Sequence, residues 1–142
     1  MKDRIEVLKA VIAAWRAGDI EAALSHMTDD IVWRHAASLA PPLHGKSKAR
    51  QFLERFQDNF DEVQWQVRDH IESGDRLFVE GVDEYATEDG ALITAPYAGV
   101  LEFRGPLIHS WSDYLDVGVA EARKLGQPAT AWVRTPIERA AL

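Results

Sequence analysis

Hydrophobic positions change their period partway along this chain. Between Ile5 and Trp15 the apolar residues Ile5, Leu8, Val11, Ile12 and Trp15 recur at the spacing of one helix face. Asp3 stands where an N-cap belongs, and Gly18 where a helix stops. Asp19 opens a second, short helix over Ile20 to His26, with Ile20, Ala23, Leu24 and Met27 on one side. "DDIVWRH" then reads as a strand and "SLAPPLHGK" as a turn-rich connection. Ser47 is expected to cap a third helix running to about Phe60, with Phe52, Leu53 and Phe56 facing inward. From there the period falls to two. "EVQWQVRDHI", "RLFVEGVDEYA", "ALITAPYAGVLEF" and "LIHSWSDYLD" are strand-like runs, joined by "SGD", "TEDG" and "RGP", which are short enough for hairpins in a meander.

This order predicts an α+β fold. N-terminal helices pack on one face of a cone-shaped, curved, mostly antiparallel sheet that curls around an internal pocket. Strand alternation then says which residues look into that pocket. Leu77, Val79, Gly81, Asp83 and Tyr85 share one face, opposite the more charged Phe78, Glu80, Val82 and Glu84. His109, Trp111, Asp113 and Leu115 form another such set; Ile31, Trp33 and His35 a third; Val63, Trp65, Val67 and Ile71 a fourth. Tyr97 is expected to line the same space, although Pro96 before it suggests a bulge. Two carboxylates, Asp83 and Asp113, thus fall on aromatic faces, where an unpaired charge is costly and a proton is readily retained.

Composition narrows the chemistry. With 142 residues, 46% hydrophobic and 27% charged, the chain suits one globular domain. A net charge of −7 without a basic block argues against nucleic acid as a partner. The absence of cysteine excludes disulfides and thiolate metal sites and suits a reducing compartment. "MKDRIEVLKAVIAAW" is too interrupted by charge for a signal peptide or a membrane span, so a soluble, cytoplasmic protein is expected. His26, His35, His44, His70 and His109 show no metal-binding spacing, and GxSxG, P-loop and GxGxxG motifs are absent. Neither a metal nor another cofactor is therefore predicted.

The order of elements, the segment "IVWRHAASLAPPLHGKSKARQFLERF" and the ending "GPLIHSWSDYLD" resemble the SnoaL-like branch of the nuclear transport factor 2 superfamily. The resemblance runs to about Asp116. It implies a single domain, 1–142, with a core of about 3–116 and a C-terminal extension, 117–142. In that extension Val119 to Leu125 predicts a short helix, and Trp132, Val133 and Ile137 an apolar cap for the pocket or for a partner subunit. Within the branch, "WSDYLD" and "EGVDEY" are similar to the motifs of limonene-1,2-epoxide hydrolases, which places Asp113 and Asp83 at the two catalytic carboxylates. The family's intervening Arg is replaced by Gly81, and its water-holding Tyr and Asn correspond to Trp33 and His35.

Ketosteroid isomerase-like and SnoaL-like cyclase enzymes resemble the chain equally in fold. They imply proton transfer beside a carbonyl, with His35 near the position of the isomerase base and Asp83 or Asp113 as acid or base. The expected site is therefore Asp113, Asp83 and His35 as catalytic groups, with Trp33, Trp65, Tyr97, Trp111, Tyr85 and His109 against the substrate. The expected ligand is a small apolar oxygenated molecule, and the expected assembly a homodimer paired through the outer face carrying Phe78, Val82, Val100 and Tyr114. The readings to be separated are a cyclase or isomerase, an epoxide hydrolase with an altered site, a non-catalytic hydrophobic-ligand carrier and an interaction domain.

Overall fold

In a computed structural model of the chain, residues 3–35, 40–87, 89–128, 138 and 142 are described, with backbone alone for 57–64 and 85–87. Helix α1 (Arg4–Arg16) buries Ile5, Val7, Leu8, Val11, Ile12 and Trp15, the face its spacing marks. Asp3 occupies the N-cap, but its side chain caps nothing. The Glu72 carboxylate, distant in sequence, instead accepts from the Ile5 N–H at 3.0 Å and satisfies one of the helix's orphan donors. Gly18, at φ 77°, ends the helix in the left-handed region that glycine enters without strain. In α2 (Ile20–Leu24) the Asp19 carboxylate accepts from Ala22 N at 3.0 Å, as an N-cap should. Helix α3 (Lys46–Asn59) starts before Ser47, which therefore lies in its first turn.

The strands are β1 (Met27–Arg34), β2 (Leu43–His44), β3 (Phe60–Ser73), β4 (Arg76–Thr87), β5 (Leu92–Arg104) and β6 (Leu107–Leu115). They form one sheet in the order β2-β1-β6-β5-β4-β3. Only β1 and β6 run parallel; the other pairs, including the meander, are antiparallel. β2, two residues within the segment read as a connection, pairs with β1 through Val32 and His44. Helix α4 (Val117–Lys124) follows, capped by the Asp116 side chain accepting from Val119 N, and begins two residues ahead of the expected Val119. Trp132, Val133 and Ile137 lie outside the described residues. No described helix is long and apolar enough to cross a membrane.

Two bulges revise the alternation. In β3, Val67 pairs with Gly81 and Asp69 with Glu80, so Arg68 is the extra residue. Trp65 and Val67 stay inside, but beyond the bulge the faces exchange and Ile71, expected inward, is 67% exposed. In β6, Ser110 pairs with Glu102 and Ile108 with Phe103, which leaves His109 as the extra residue. Pro96 makes no bulge. The β4–β5 register passes unbroken through Val82↔Pro96 and Gly81↔Tyr97, and Pro96 lies where β6 has just ended, its carbonyl accepting from Asp116 N at 3.0 Å. A proline without an N–H is tolerated at such an end.

Candidate functional site

The concave face of the sheet and helices α1 and α3 enclose a cavity of about 240 Å³. Its wall is largely aromatic: Trp15 from α1, Phe52 and Phe56 from α3, Trp33 from β1 and Trp65 from β3. Behind the wall, Trp111 of β6 stacks on Trp33 (centroids 4.7 Å apart, planes at 16°) and on Trp65 (5.2 Å, 26°). β6 and β3 are separated in the sheet by β5 and β4, so this contact measures how strongly the sheet curls. Trp15 meets Trp65 edge-on at 5.6 Å. Such ring pairs add about 0.5–1.5 kcal/mol each beyond the area they bury, and they make the wall rigid.

Three polar groups enter this wall, and all three are the expected catalytic residues: His35, Asp83 and Asp113. Asp113 of β6 is 8% exposed, and its Oδ1 accepts from the Trp111 Nε1–H at 2.9 Å. The Trp33 indole N–H also favours the carboxylate form electrostatically, without completing a hydrogen bond. Burial outweighs both indoles and pushes the Asp113 carboxyl up to about 7. The space it occupies is made by its register partner Gly99, where a Cβ would stand 2.8 Å from Asp113 Oδ1. Asp83, on β4 opposite Trp65 and Ala95, is raised well above the usual carboxylate range by desolvation and then by Asp113. His35, just past β1, stacks on Phe52 at 4.3 Å. Burial lowers its pKa, so the imidazole is neutral at physiological pH.

No cation separates the two carboxyls: among the described residues, neither Asp83 nor Asp113 forms an ion pair with Lys or Arg. Gly81, at the position where the resembled hydrolases carry Arg, has no room for a side chain. A Cβ there would lie 2.1 Å from the Gln66 carbonyl oxygen and 2.7 and 2.9 Å from Cε1 and Cζ of Tyr97. Tyr97 has taken that space, and its hydroxyl accepts from Trp65 Nε1 at 3.0 Å. Burial raises the phenol's pKa, with Asp83 and Asp113 adding to the effect. Arg16, in the last turn of α1, donates to the Trp65 carbonyl and interacts with Tyr97.

Of the residues expected against substrate, Trp33 and Trp65 line the cavity, whereas Trp111 and Tyr97 stand behind it. His109 does not join them. As the bulge residue it turns outward, with Nε2 3.9 Å from the Glu102 carboxylate. The side chains of Tyr85 and Val63 lie outside the described residues. Trp15, Phe52 and Phe56, read as core, are both core and wall, because helical periodicity marks a buried face without saying whether protein or space lies opposite. Arg16 had no signal beyond its place beside Trp15. No cluster of three or more His, Asp or Glu suited to a metal occurs among the described residues.

Comparison with known proteins agrees with this architecture. No functionally curated protein matches the chain. Among solved structures, TerC, co-crystallised with polyporic acid, superposes with a TM-score of 0.74 at 27% identity, over 85% of this chain and 98% of that one. A SnoaL-like polyketide cyclase candidate from Shewanella denitrificans gives a TM-score of 0.78 at 14% identity, over 87% and 98%. An LEH-like epoxide hydrolase from M. tuberculosis gives 0.75 at 20%, over 87% and 90%. The latter two likenesses concern the fold alone. The SnoaL-like domain family matches residues 8–111, from α1 through the tryptophan that holds Asp113, and the chain belongs to that family.

Proposed function

We propose that this protein is an enzyme of the SnoaL-like cyclase or isomerase type that moves protons beside a carbonyl group of a small, flat, oxygenated molecule. The observation that supports it is a pair of desolvated carboxyls in an aromatic cavity with no cation between them. Asp113, titrating near neutrality, is suited to give and take a proton at physiological pH. One oxygen is held by Trp111, which leaves the other for chemistry. Asp83, raised well above the usual carboxylate range by desolvation and by Asp113, holds its proton more firmly and can donate it in a hydrogen bond to the carbonyl oxygen. The α C–H bond breaks, its proton passes to Asp113, and the electron pair moves onto the oxygen hydrogen-bonded by Asp83. The resulting enolate takes the proton back from Asp113 at another carbon, or attacks a second carbonyl of the same molecule, whose oxygen then receives the proton from Asp113. His35, neutral at the wall, is a second proton acceptor. The solved neighbours described as a polyketide cyclase candidate and as a polyporic acid complex fit this ligand class.

Epoxide hydrolysis is the second reading, favoured by the two carboxylate motifs and by the LEH-like neighbour. The closed position at Gly81 weighs against it, since a cation would be needed to hold two carboxyls in complementary states. Deuterium incorporation into cyclic ketones and β-diketones at neutral pD, followed by NMR, tests the first reading. Wild type should exchange and Asp113→Asn should be slower by roughly 10²- to 10⁴-fold. Equal exchange by both, or faster opening of styrene oxide than exchange of any ketone, would reverse the order of the two readings.

The same reading takes the protein as a cytoplasmic homodimer joined through the outer sheet face. Phe78 (37%) and Tyr114 (57%) are exposed there, while Val82, expected with them, is buried at 2% within its own chain. Light scattering at tens of micromolar should give twice the 15.9 kDa chain mass. A monomer mass removes the assembly from the proposal.

A further inference from the structure

The ring of Tyr97 leans from β5 across β4 and covers Gly81, and its hydroxyl reaches Trp65 on β3. An indole N–H can only donate, so at this contact the phenol oxygen accepts and its own proton must point elsewhere. Tyr97 is 4% exposed, and Trp65 is its hydrogen-bond partner among the described residues. A buried hydroxyl proton without an acceptor among the described residues has to be accounted for.

Register defines what surrounds that proton. On the inner face of β5, Tyr97 stands between Ala95, which faces Asp83, and Gly99, which faces Asp113. Trp65, which orients the hydroxyl, lies directly opposite Asp83. Among the described residues, the charged and titratable groups around it are Asp83 from β4, Asp113 from β6 and Arg16 from α1, with His35 after β1 on the same cavity. The residues that α3 presents to the cavity are apolar. Arg16 cannot accept, whereas the two carboxyls can.

We propose that Tyr97 is a positioning residue for the carboxyl pair: oriented by Trp65, it donates its O–H toward Asp83 and Asp113 through a bridging water. A neutral donor then holds the place that the resembled hydrolases fill with Arg. This rests on the reading of Asp83 and Asp113 as the acid/base pair, but it can be tested without turnover. Carboxyl titrations by NMR on protein labelled at the aspartate carboxyl carbon, assigned with Asp83→Asn and Asp113→Asn, give the midpoints of the pair.

In Tyr97→Phe the carboxylate form loses a donor, and the pair's midpoint should rise by roughly half a unit to one unit, the shift that one hydrogen bond supports. Binding of a hydrophobic dye to the cavity should change less than twofold, because Tyr97 stands behind the wall. Incorporation of 3-fluorotyrosine, a stronger donor of nearly the same shape, should move the midpoint down; a Tyr85→Phe/Tyr114→Phe background leaves Tyr97 as the one tyrosine labelled. The fluorinated protein also decides the matter if Tyr97→Phe does not fold. Midpoints unchanged by fluorination overturn the proposal. Midpoints that move while Asp113→Asn leaves proton exchange intact would keep Tyr97's role and remove the proposed function.

Discussion

The same carboxyl chemistry behaves in opposite ways at the protein surface and inside the curled sheet. At the surface, Asp30 is held by Arg104, with both carboxylate oxygens at 3.1 Å, and Glu21 of α2 is held by Arg50 of α3; both are exposed, and their pKa values are lowered, Asp30 by Thr28 and then Arg104, Glu21 by Arg50. Inside, Asp83 and Asp113 line an aromatic cavity without a cationic partner among the described residues, and desolvation raises them. A paired surface acid is a fixed anion whose contribution to stability is small. A buried, unpaired one is a proton switch near neutrality, at the expense of stability when ionised. The arrangement thus reads as a site rather than as a structural ion pair.

The largest expected contrast is kinetic. Asp113→Asn should reduce turnover by roughly 10²- to 10⁴-fold with the fold retained, as judged by near-UV circular dichroism, whereas Asp30→Asn should leave turnover unchanged. An equal effect of the two substitutions would erase the distinction between surface and cavity.

Next in size is the pH dependence of stability, whose sign differs between the two regions. Unfolded, Asp113 ionises near its ordinary value of 3.8; folded, it keeps its proton to about 7. The native state therefore binds more protons between these values, and stability falls as pH rises through that window, then levels off for this group above about 7. Asp83, raised in the same direction, adds to the fall. The decline should be on the order of a few kcal/mol, visible as a falling urea midpoint from pH 5 to 8 and flatter in Asp113→Asn. For Asp30 and Glu21, with lowered pKa values, the contribution is present above the unfolded value and lost as pH falls through the folded one. Stability that rises from pH 5 to 8 would contradict the assignment of the buried pair.

Packing follows. Gly81→Ala drives a Cβ into the Gln66 carbonyl and the Tyr97 ring, and should cost roughly 1–3 kcal/mol in chemical denaturation, the usual penalty of overpacking. An unaffected midpoint would mean that Tyr97 swings away from β4 and that the β3 backbone at Gln66 shifts to admit the Cβ. The smallest effect is expected of Arg104→Ala, which removes only an exposed partner of Asp30: its denaturation midpoint should stay within error of wild type at moderate salt.

Much of this molecule was legible in one dimension. Alternation placed Leu77, Val79, Gly81 and Asp83 on the inner face of β4, and the motif "WSDYLD" marked Asp113. Helical spacing marked the buried face of α1. These are local properties, since period and side-chain direction follow from the backbone of one element. What depends on a partner element was decided only on folding. Arg68 and His109 became bulge residues because the opposing strand has one residue fewer there, which sent Ile71 and His109 outward. Glu72 took the role expected of Asp3 because β3 runs past the start of α1.

The site divides in the same way. The sequence by itself determined that two acids, a histidine and several large rings would share a concave face. Only the tertiary structure decided that Tyr97 would close the position of the missing Arg, that Trp65 would claim its oxygen, and that Asp113 would hold its proton to about 7. The physical reason is that a carboxyl's proton affinity is set by water excluded and donors supplied from other strands and helices, quantities that no single stretch of sequence contains.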